Sequence, residues 1–379
     1  MDLEIWLLSN GTFLKSEFIK YYIIAGEASG DIYGAQLISA LKANDAQASF
    51  RFWGGDKMLA EDSNQAMDYR QTAFMGFWEV IKNIGVIRKN FAFCKKDIET
   101  FKPDRIIYID YPGFNLRMAK WAKEKNYHNI YFVAPQIWAW KKNRYKAIKR
   151  DIDQLFVILP FEKGFYKGLG VEAQYFGHPL ETSIAKKKQK DFDSNALRIA
   201  VLPGSRQQEL EKHMPVFLKL IKTRQNDHFT IAIAPGLTER DFSIYNLSEL
   251  SNVSLGSNNH QILKEADIAL TKSGTSTLET ALVGTPQIVI YKTSSISYSI
   301  AKRVVKLPWI SLVNIIAGKQ IVTELIQADF NADKLNTEID KLIQPEHFSA
   351  MQDSYEELRE SLKGDRVFDE VATRIIRIL

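Results

Sequence analysis

The stretch YYIIAGEASGDIYGAQLISAL, residues 21–41, decides how the chain is read. Tyr21, Tyr22, Ile23, Ile24 and Ala25 form an apolar run suited to a buried strand. A small polar turn follows, and apolar residues then recur at helical spacing. Strand, glycine-containing loop and helix make the opening half of a β–α–β unit. The loop nevertheless carries two carboxylates, Glu27 and Asp31, which would repel a phosphate held on backbone N–H groups.

The alternation continues outward from this unit. Strands are expected at 21–25, 49–53, 105–109, 129–133, 154–158 and 174–177, with helices at 31–43, 76–101, 115–125 and 141–149. A second series has strands near 197–202, 229–234, 252–255, 267–270 and 286–290, with helices from 206, 237, 258, 274 and 321. Beyond 331 the chain reads as helix only. Short β-branched and aromatic runs between amphipathic helices specify parallel sheets covered on both faces. Between the two series, ETSIAKKKQKDFDSNA (181–196) is polar and without apolar period, and reads as a linker. The expected fold is α/β: two Rossmann-like domains facing across a cleft, with a helical C-terminal tail. Their expected bounds are 21–185 and 197–330, preceded by an N-terminal extension (1–20) and followed by a tail (331–379) that could pack back on the N-terminal domain. Ligands of such sheets bind outside the carboxyl ends of the strands.

Bulk properties narrow the function. The chain is 45% hydrophobic and 25% charged, as in globular proteins, and its 379 residues suit two domains. A net charge of +5 suits an anionic ligand or membrane surface, but is too weak to argue nucleic acid, for which no signature is present. Cys94 is the only cysteine, which excludes a disulfide framework and fits a reducing compartment. No apolar run approaches the roughly 20 residues of a membrane span. Residues 1–20 begin with acid and are broken by Asn10 and Gly11, a poor signal peptide.

Several loops could carry chemistry. In LRIAVLPGSRQQELEKHM (197–214), Pro203 and Gly204 turn the chain, Ser205 can cap the helix, and Gln208 sits where a capping box needs it. Arg206 opposes the helix dipole there, so it needs an anionic partner. A bound phosphate is one such partner; Glu209 or Glu211 is the plain alternative. In ADIALTKSGTSTLETALVGTPQIVIY (266–291), Gly274 admits close backbone approach, and the hydroxyls of Ser273, Thr275 and Thr277 form an anion nest at the helix start. Glu279, one turn in, could reach a ribose diol, or these side chains could simply cap the helix and meet solvent. In PDRIIYIDYPGFNLRMAKWA (103–122), Asp110 ends a buried strand and is placed as a general base, while Asn115 is expected to cap the following helix. Trp138 and Trp140 stand beside six Lys/Arg residues in FVAPQIWAWKKNRYKAIKR (132–150), as sugar- or headgroup-stacking aromatics or as a pinned loop before a solvated helix. His178, in YFGHP (175–179), is a weaker candidate, since a lone histidine at a strand end is more often structural. In TAFMGFWEVIKNIGVIRKN (72–90), Phe74, Met75, Phe77, Trp78 and Ile81 are interleaved with Lys82 and Arg88. That pattern suits either a core stripe or a face dipping into an anionic bilayer.

Taken in order, these motifs resemble one family, the lipid-A-disaccharide synthases, which are GT-B glycosyltransferases. AGEASGD (25–31), GFWEV, KPD…IDYPGFN, PQIWAW, LPFEKGFY, GHP, LPGSR…E, SGTSTLE and SLVNIIAGK follow in the family's sequence from Tyr21 to about Glu324. The resemblance implies transfer of 2,3-diacylglucosamine from its UDP conjugate to 2,3-diacylglucosamine 1-phosphate, with inversion, giving the β-1,6-linked lipid A disaccharide 1-phosphate and UDP. It implies Asp110 as the base on the attacking hydroxyl, and Glu27, Ser29, Gly30, Asp31, Trp138 and His178 on the acceptor side. Gly204, Ser205, Arg206, Ser273, Gly274, Thr275, Thr277, Glu279 and Asn314 fall on the UDP-sugar side. No metal-binding motif is visible, so no cofactor is expected and Arg206 with the helix start would stabilise the leaving UDP. The implied setting is cytoplasmic and peripheral, on the anionic inner membrane of a Gram-negative-type bacterium, and a homodimer is admitted.

Two departures stand out. SLVN replaces an expected SLPN before Asn314, and Gly113 leaves Asp110 as the carboxylate of its turn. The competing readings are a GT-B transferase acting on another lipid-linked acceptor, a GT-B-like sugar epimerase, and a non-catalytic nucleotide-sugar-binding protein.

Overall fold

The computed structural model describes residues 18–71, 84–187, 196–305 and 307–377. The greater part of the expected extension and half of the expected linker therefore lie outside the described residues. So do Phe74, Met75, Phe77, Trp78, Ile81 and Lys82 of the expected membrane face. By internal packing the chain forms two compact units, Met1–Ile130 with Ala372–Leu379, and Tyr131–Val371.

The strands form two sheets. The first holds β1 (Lys20–Ala25), β2 (Ser49–Gly54), β3 (Gln65–Asp68), β4 (Arg105–Ile109), β5 (His128–Phe132), β6 (Gln154–Val157) and β7 (Gln174–Tyr175), in the order β3-β2-β1-β4-β5-β6-β7. The second holds β8 (Arg198–Leu202), β9 (His228–Ala232), β10 (Val253–Gly256), β11 (Ile268–Lys272), β12 (Gln287–Tyr291) and β13 (Thr323–Ile326), in the order β10-β9-β8-β11-β12-β13. The pairs β1–β2, β1–β4, β8–β9 and β8–β11 are all parallel.

Parallel central strands are covered on both faces, which is why β1 is buried from Tyr21 to Ala25 without alternation. The same holds for Ile106–Ile109 of β4 and Ile199–Val201 of β8. Each buried isoleucine or valine among them contributes about 1.5–3 kcal/mol.

The helix α1 (Ala28–Asn44) packs close to its strand at Gly30 and to the helix that follows β2 at Gly34. A Cβ on Gly30 would stand 3.1 Å from that of Ala25, and one on Gly34 only 2.5 Å from the Met58 sulfur. Gly30 is therefore a helix–strand contact, turned inward, where the sequence suggested a surface for sugar.

All eleven expected strands form. Two further strands, β3 and β13, were not anticipated, and β13 replaces the start of the helix expected from 321. Both are four-residue edge strands with mixed polar composition, QAMD and TELI, and they give no periodicity to read.

The helical tail begins with α13 (Ala332–Leu342) and α14 (Pro345–Leu362). The second of these is fixed to the second sheet and its flanks. Gln352 donates to the Gly284 carbonyl (2.9 Å), Gln287 donates to the Tyr355 hydroxyl (3.2 Å), and Arg359 pairs with Glu181 (3.0 Å). In the first unit, the Arg105 guanidinium donates to the Ile375 carbonyl.

Candidate active site

In each sheet the strand order reverses once, between β1 and β4 and between β8 and β11. Loops leaving two such strands diverge to opposite faces and open a crevice at the carboxyl end of the sheet. The four loops so placed are Gly26–Glu27, Asp110–Tyr111, Pro203–Arg206 and Ser273–Gly274, and each belongs to a motif singled out in the sequence.

In the first unit, Asp110 (φ +45°) and Tyr111 (φ +49°) both take the left-handed conformation, which non-glycine residues avoid. Asn115 holds this turn. Its side-chain amide donates to the carbonyls of Asp110 (2.8 Å) and Ile109 (3.3 Å), inside the turn that ends β4. It does not cap α4 (Pro112–Glu124) as expected; Tyr111 stands at the cap position and Pro112 begins the helix. The Tyr111 ring in turn lies where a side chain on Gly26 would stand, with ring carbons 2.3–2.7 Å from the ideal Cβ. The AGEASGD and DYPG turns are thus interlocked, and Asp110 is half-buried beside them.

The two carboxylates of the first loop separate into different environments. Asp31 is buried, and its oxygens accept N–H bonds from Gly55 (2.7 Å), Met58 (3.1 Å) and Lys57 (3.1 Å). It therefore caps α2 (Asp56–Glu61) and ties the loop to the end of β2. Glu27 is half-buried at the cap position of α1 and accepts from the Ser29 hydroxyl (2.5 Å).

In the second unit, the indole of Trp138 donates to Glu162 (2.8 Å), whose other oxygen accepts the Leu159 N–H (3.0 Å). Burial pushes the Glu162 carboxyl up to about 7, against the effect of those donors. Trp140 is exposed, with the Lys141 ammonium 4.4 Å and the Arg144 guanidinium 5.2 Å from its ring centre. His178 is 2% exposed, and its Nδ1 accepts the Leu180 N–H (3.1 Å) at the start of α7 (Pro179–Ser183). Burial holds that imidazole neutral, with its pKa lowered to about 3.

The second crevice is a cavity of about 260 Å³ lined by Pro203, Gly204, Ser205, Lys272, Ser273 and Gly274 among others. A side chain on Gly204 (φ +127°) would be strained by the left-handed backbone and would displace Glu209, whose Oε2 lies 2.3 Å from an ideal Cβ. The helix α8 (Gln207–Thr223) has Arg206 at its cap position, and the carboxylate reaching back is Glu209, not Gln208. Glu209 accepts the Ser205 N–H (2.8 Å), pairs with Lys272 (2.8 Å) and lies 3.8 Å from Arg206. Arg206 thus has the plain partner the sequence offered, at long range, with half of its side chain exposed.

At the other edge of this cavity, Gly274 (φ +155°) precedes α10 (Thr275–Val283), whose first N–H groups have no partner within the helix. The expected nest is less uniform than the sequence implied. Thr277 is buried and its hydroxyl donates to the Gly274 carbonyl (2.8 Å), while the Ser273 hydroxyl donates to Ile310 (2.8 Å). Glu279 is half-buried, and burial raises its carboxyl pKa. Asn314 is fully buried: it donates to Val322 (2.9 Å) and Glu324 (2.9 Å) and accepts from Ile321 (2.7 Å). Its side chain anchors the SLVN turn to β13.

Sequence reasoning passed over Lys272, although the charge stands at the carboxyl end of β11 directly before SGTSTLE, where a cation at a helix start calls for explanation. Among the described residues, no cluster of three or more His, Cys, Asp or Glu could hold a metal ion.

Two parallel sheets, each with its crevice loops at the reversal point, define a protein of the GT-B class. Solved structures agree in fold: the calicheamicin glycosyltransferase is 15% identical, with a TM-score of 0.60, over 94% of this chain and 97% of that one. A putative UDP-N-acetylglucosamine 2-epimerase from Listeria monocytogenes is 15% identical, with a TM-score of 0.56, over 94% and 95%. Residues 21–373 match the family model of lipid-A-disaccharide synthetase. The chain is 37% identical over 355 residues to the lipid-A-disaccharide synthase of Trichlorobacter lovleyi, covering 90% of this chain and 93% of that protein. It is 35% identical over 358 residues to lipid-A-disaccharide synthase 1 of Legionella pneumophila, covering 91% and 93%. The chain belongs to the lipid-A-disaccharide synthase family.

Proposed function

We propose that the chain transfers 2,3-diacylglucosamine from its UDP conjugate to the 6-hydroxyl of 2,3-diacylglucosamine 1-phosphate. The products are the β-1,6-linked disaccharide 1-phosphate and UDP. The observation that carries this reading is the family match across residues 21–373.

Asp110 is the base. Inversion needs a carboxylate to take the proton from the attacking hydroxyl, and a strained turn braced by Asn115 fixes where that carboxylate stands. Glu27 and Ser29 are the acceptor-side polar groups of the first loop, with Asp31 and Gly30 holding that loop in shape. Trp138 and His178 stay on the acceptor side of this reading, Trp138 as an aromatic surface and His178 as the cap that sets the chain after Gly177.

The UDP-sugar is assigned to the second crevice. Gly204, Ser205, Gly274 and Thr275 supply close backbone and hydroxyl contacts, Arg206 supplies charge to the leaving diphosphate, and Glu279 meets the ribose. Thr277, Ser273 and Asn314 support this crevice through the hydrogen bonds they make behind it.

The donor and acceptor are lipids, and the chain meets them at a membrane surface. No helix among the described residues is long and apolar enough to cross one. Cationic Arg88 on α3 (Ile84–Phe101), with exposed Val86 and Phe93, continues the segment assigned to the anionic bilayer.

Asp110→Ala tests the base. Turnover should fall by about 10²–10⁴-fold while UDP binding is retained; a variant as active as the parent would overturn the assignment.

A further inference from the structure

We propose that Lys272 binds the diphosphate of the nucleotide-sugar and that Glu209 is the residue that positions it, an inference that rests on the donor-site reading above. The geometry is local to the second crevice. The Lys272 ammonium is 2.8 Å from Glu209 Oε1, and it lies 3.9 Å from where a Cβ on Gly274 would stand. It therefore sits where the turn after β8 and the helix start after β11 converge on one cavity, which it lines.

A cation at that point is unfavourable without an anion, because the N-terminal end of α10 is itself positive. Glu209 supplies one negative charge, and Lys272 and Arg206 supply two positive ones. Glu209 is held ionised: burial alone would raise its pKa, but Lys272 and the Ser205 N–H outweigh burial and lower it. The Lys272 ammonium and the N-terminal end of α10 thus meet at one wall of the cavity. A diphosphate, whose charge grows as the glycosidic C–O bond breaks and the electron pair passes to the leaving oxygen, is the ligand class that a lysine at a helix start suits. Lys272 is 20% exposed and Glu209 15%, so the pair is open enough to meet a ligand yet screened from bulk water.

Glu209 also fixes the approach. The carboxylate that accepts the Ser205 N–H is the one that fills the space above Gly204, so the ammonium is braced by the same turn that lines the cavity.

The test compares affinities for UDP and for uridine by calorimetry, in the parent, in Lys272→Met, in Lys272→Arg, and in the double variant Lys272→Met with Glu209→Gln. The double variant removes both charges, so it guards against misfolding caused by an unpaired Glu209. Expected are a loss of about tenfold or more in UDP affinity in both methionine variants, no change for uridine, a partial recovery with arginine, and a weaker salt dependence of UDP binding. UDP affinity within about twofold of the parent in both methionine variants, in a parent that forms disaccharide, would overturn the proposal and leave the donor-site reading standing. A parent that fails to bind UDP would overturn both.

Discussion

The ring of Tyr111 occupies the place of the side chain that Gly26 lacks, with ring carbons 2.3–2.7 Å from an ideal Cβ. Through this contact the first loop of the chain fixes the turn that carries Asp110. Gly26→Ala must push the ring away, a strain of about 1–3 kcal/mol. Because the displaced residue adjoins Asp110, turnover should fall further than stability does. Steady-state rates and urea unfolding on the same preparation check this; a variant with lower stability and unaltered turnover would separate the interlock from catalysis.

The loop AGEASGD raised the question of why a glycine-rich turn should carry negative charge. Asp31 answers for architecture, since three backbone N–H groups end on it. Asp31→Ala leaves those donors unpaired and should destabilise the chain by about 2 kcal/mol or more. Glu27→Gln should leave the unfolding midpoint nearly unchanged and lower turnover. If Glu27→Gln is as active as the parent, Glu27 does not meet substrate.

Strand positions were legible because buried parallel strands are continuous apolar runs, as Ile106–Ile109 and Ile199–Val201 are. The crevice loops were legible because their glycines and prolines interrupt those runs. What escaped was settled by partners distant in sequence. Asn115 stands one turn into α4 but braces the strand end before it, and Asn314 answers to Val322 and Glu324. Glu209, not Gln208, reaches back over the PGSR turn because the helix starts one residue later than a Ser205 cap requires. The edge strands β3 and β13 had neither length nor alternation to announce them.

His178 is 2% exposed and its Nδ1 caps α7. His178→Ala should lower stability by about 1 kcal/mol, whereas His178→Asn, a good cap, should restore it. Turnover should follow stability across the pair. An asparagine variant that is stable but inactive would mean that the imidazole also touches substrate.

Glu162 gives a pH dependence with a definite sign. The folded chain keeps its proton from the ordinary value of 4.5 up to about 7. In that window the folded state binds more protons than the unfolded one, so this carboxyl's contribution to stability falls as pH rises and is fully lost above it. Glu162→Gln, which resembles the protonated form, should show less loss of stability between about pH 5 and about pH 8. Urea unfolding at the two pH values, followed by far-UV circular dichroism, checks this; equal losses in parent and variant would contradict the assignment.

The central claim is the reaction itself. The protein is mixed with UDP-2,3-diacylglucosamine and 2,3-diacylglucosamine 1-phosphate in detergent or vesicles, and the product is analysed by mass and by proton NMR of its anomeric centre. Equimolar UDP and a β-1,6-linked disaccharide 1-phosphate are predicted. An α-linked product, or UDP-sugar consumption without disaccharide at any acyl length, would contradict the account.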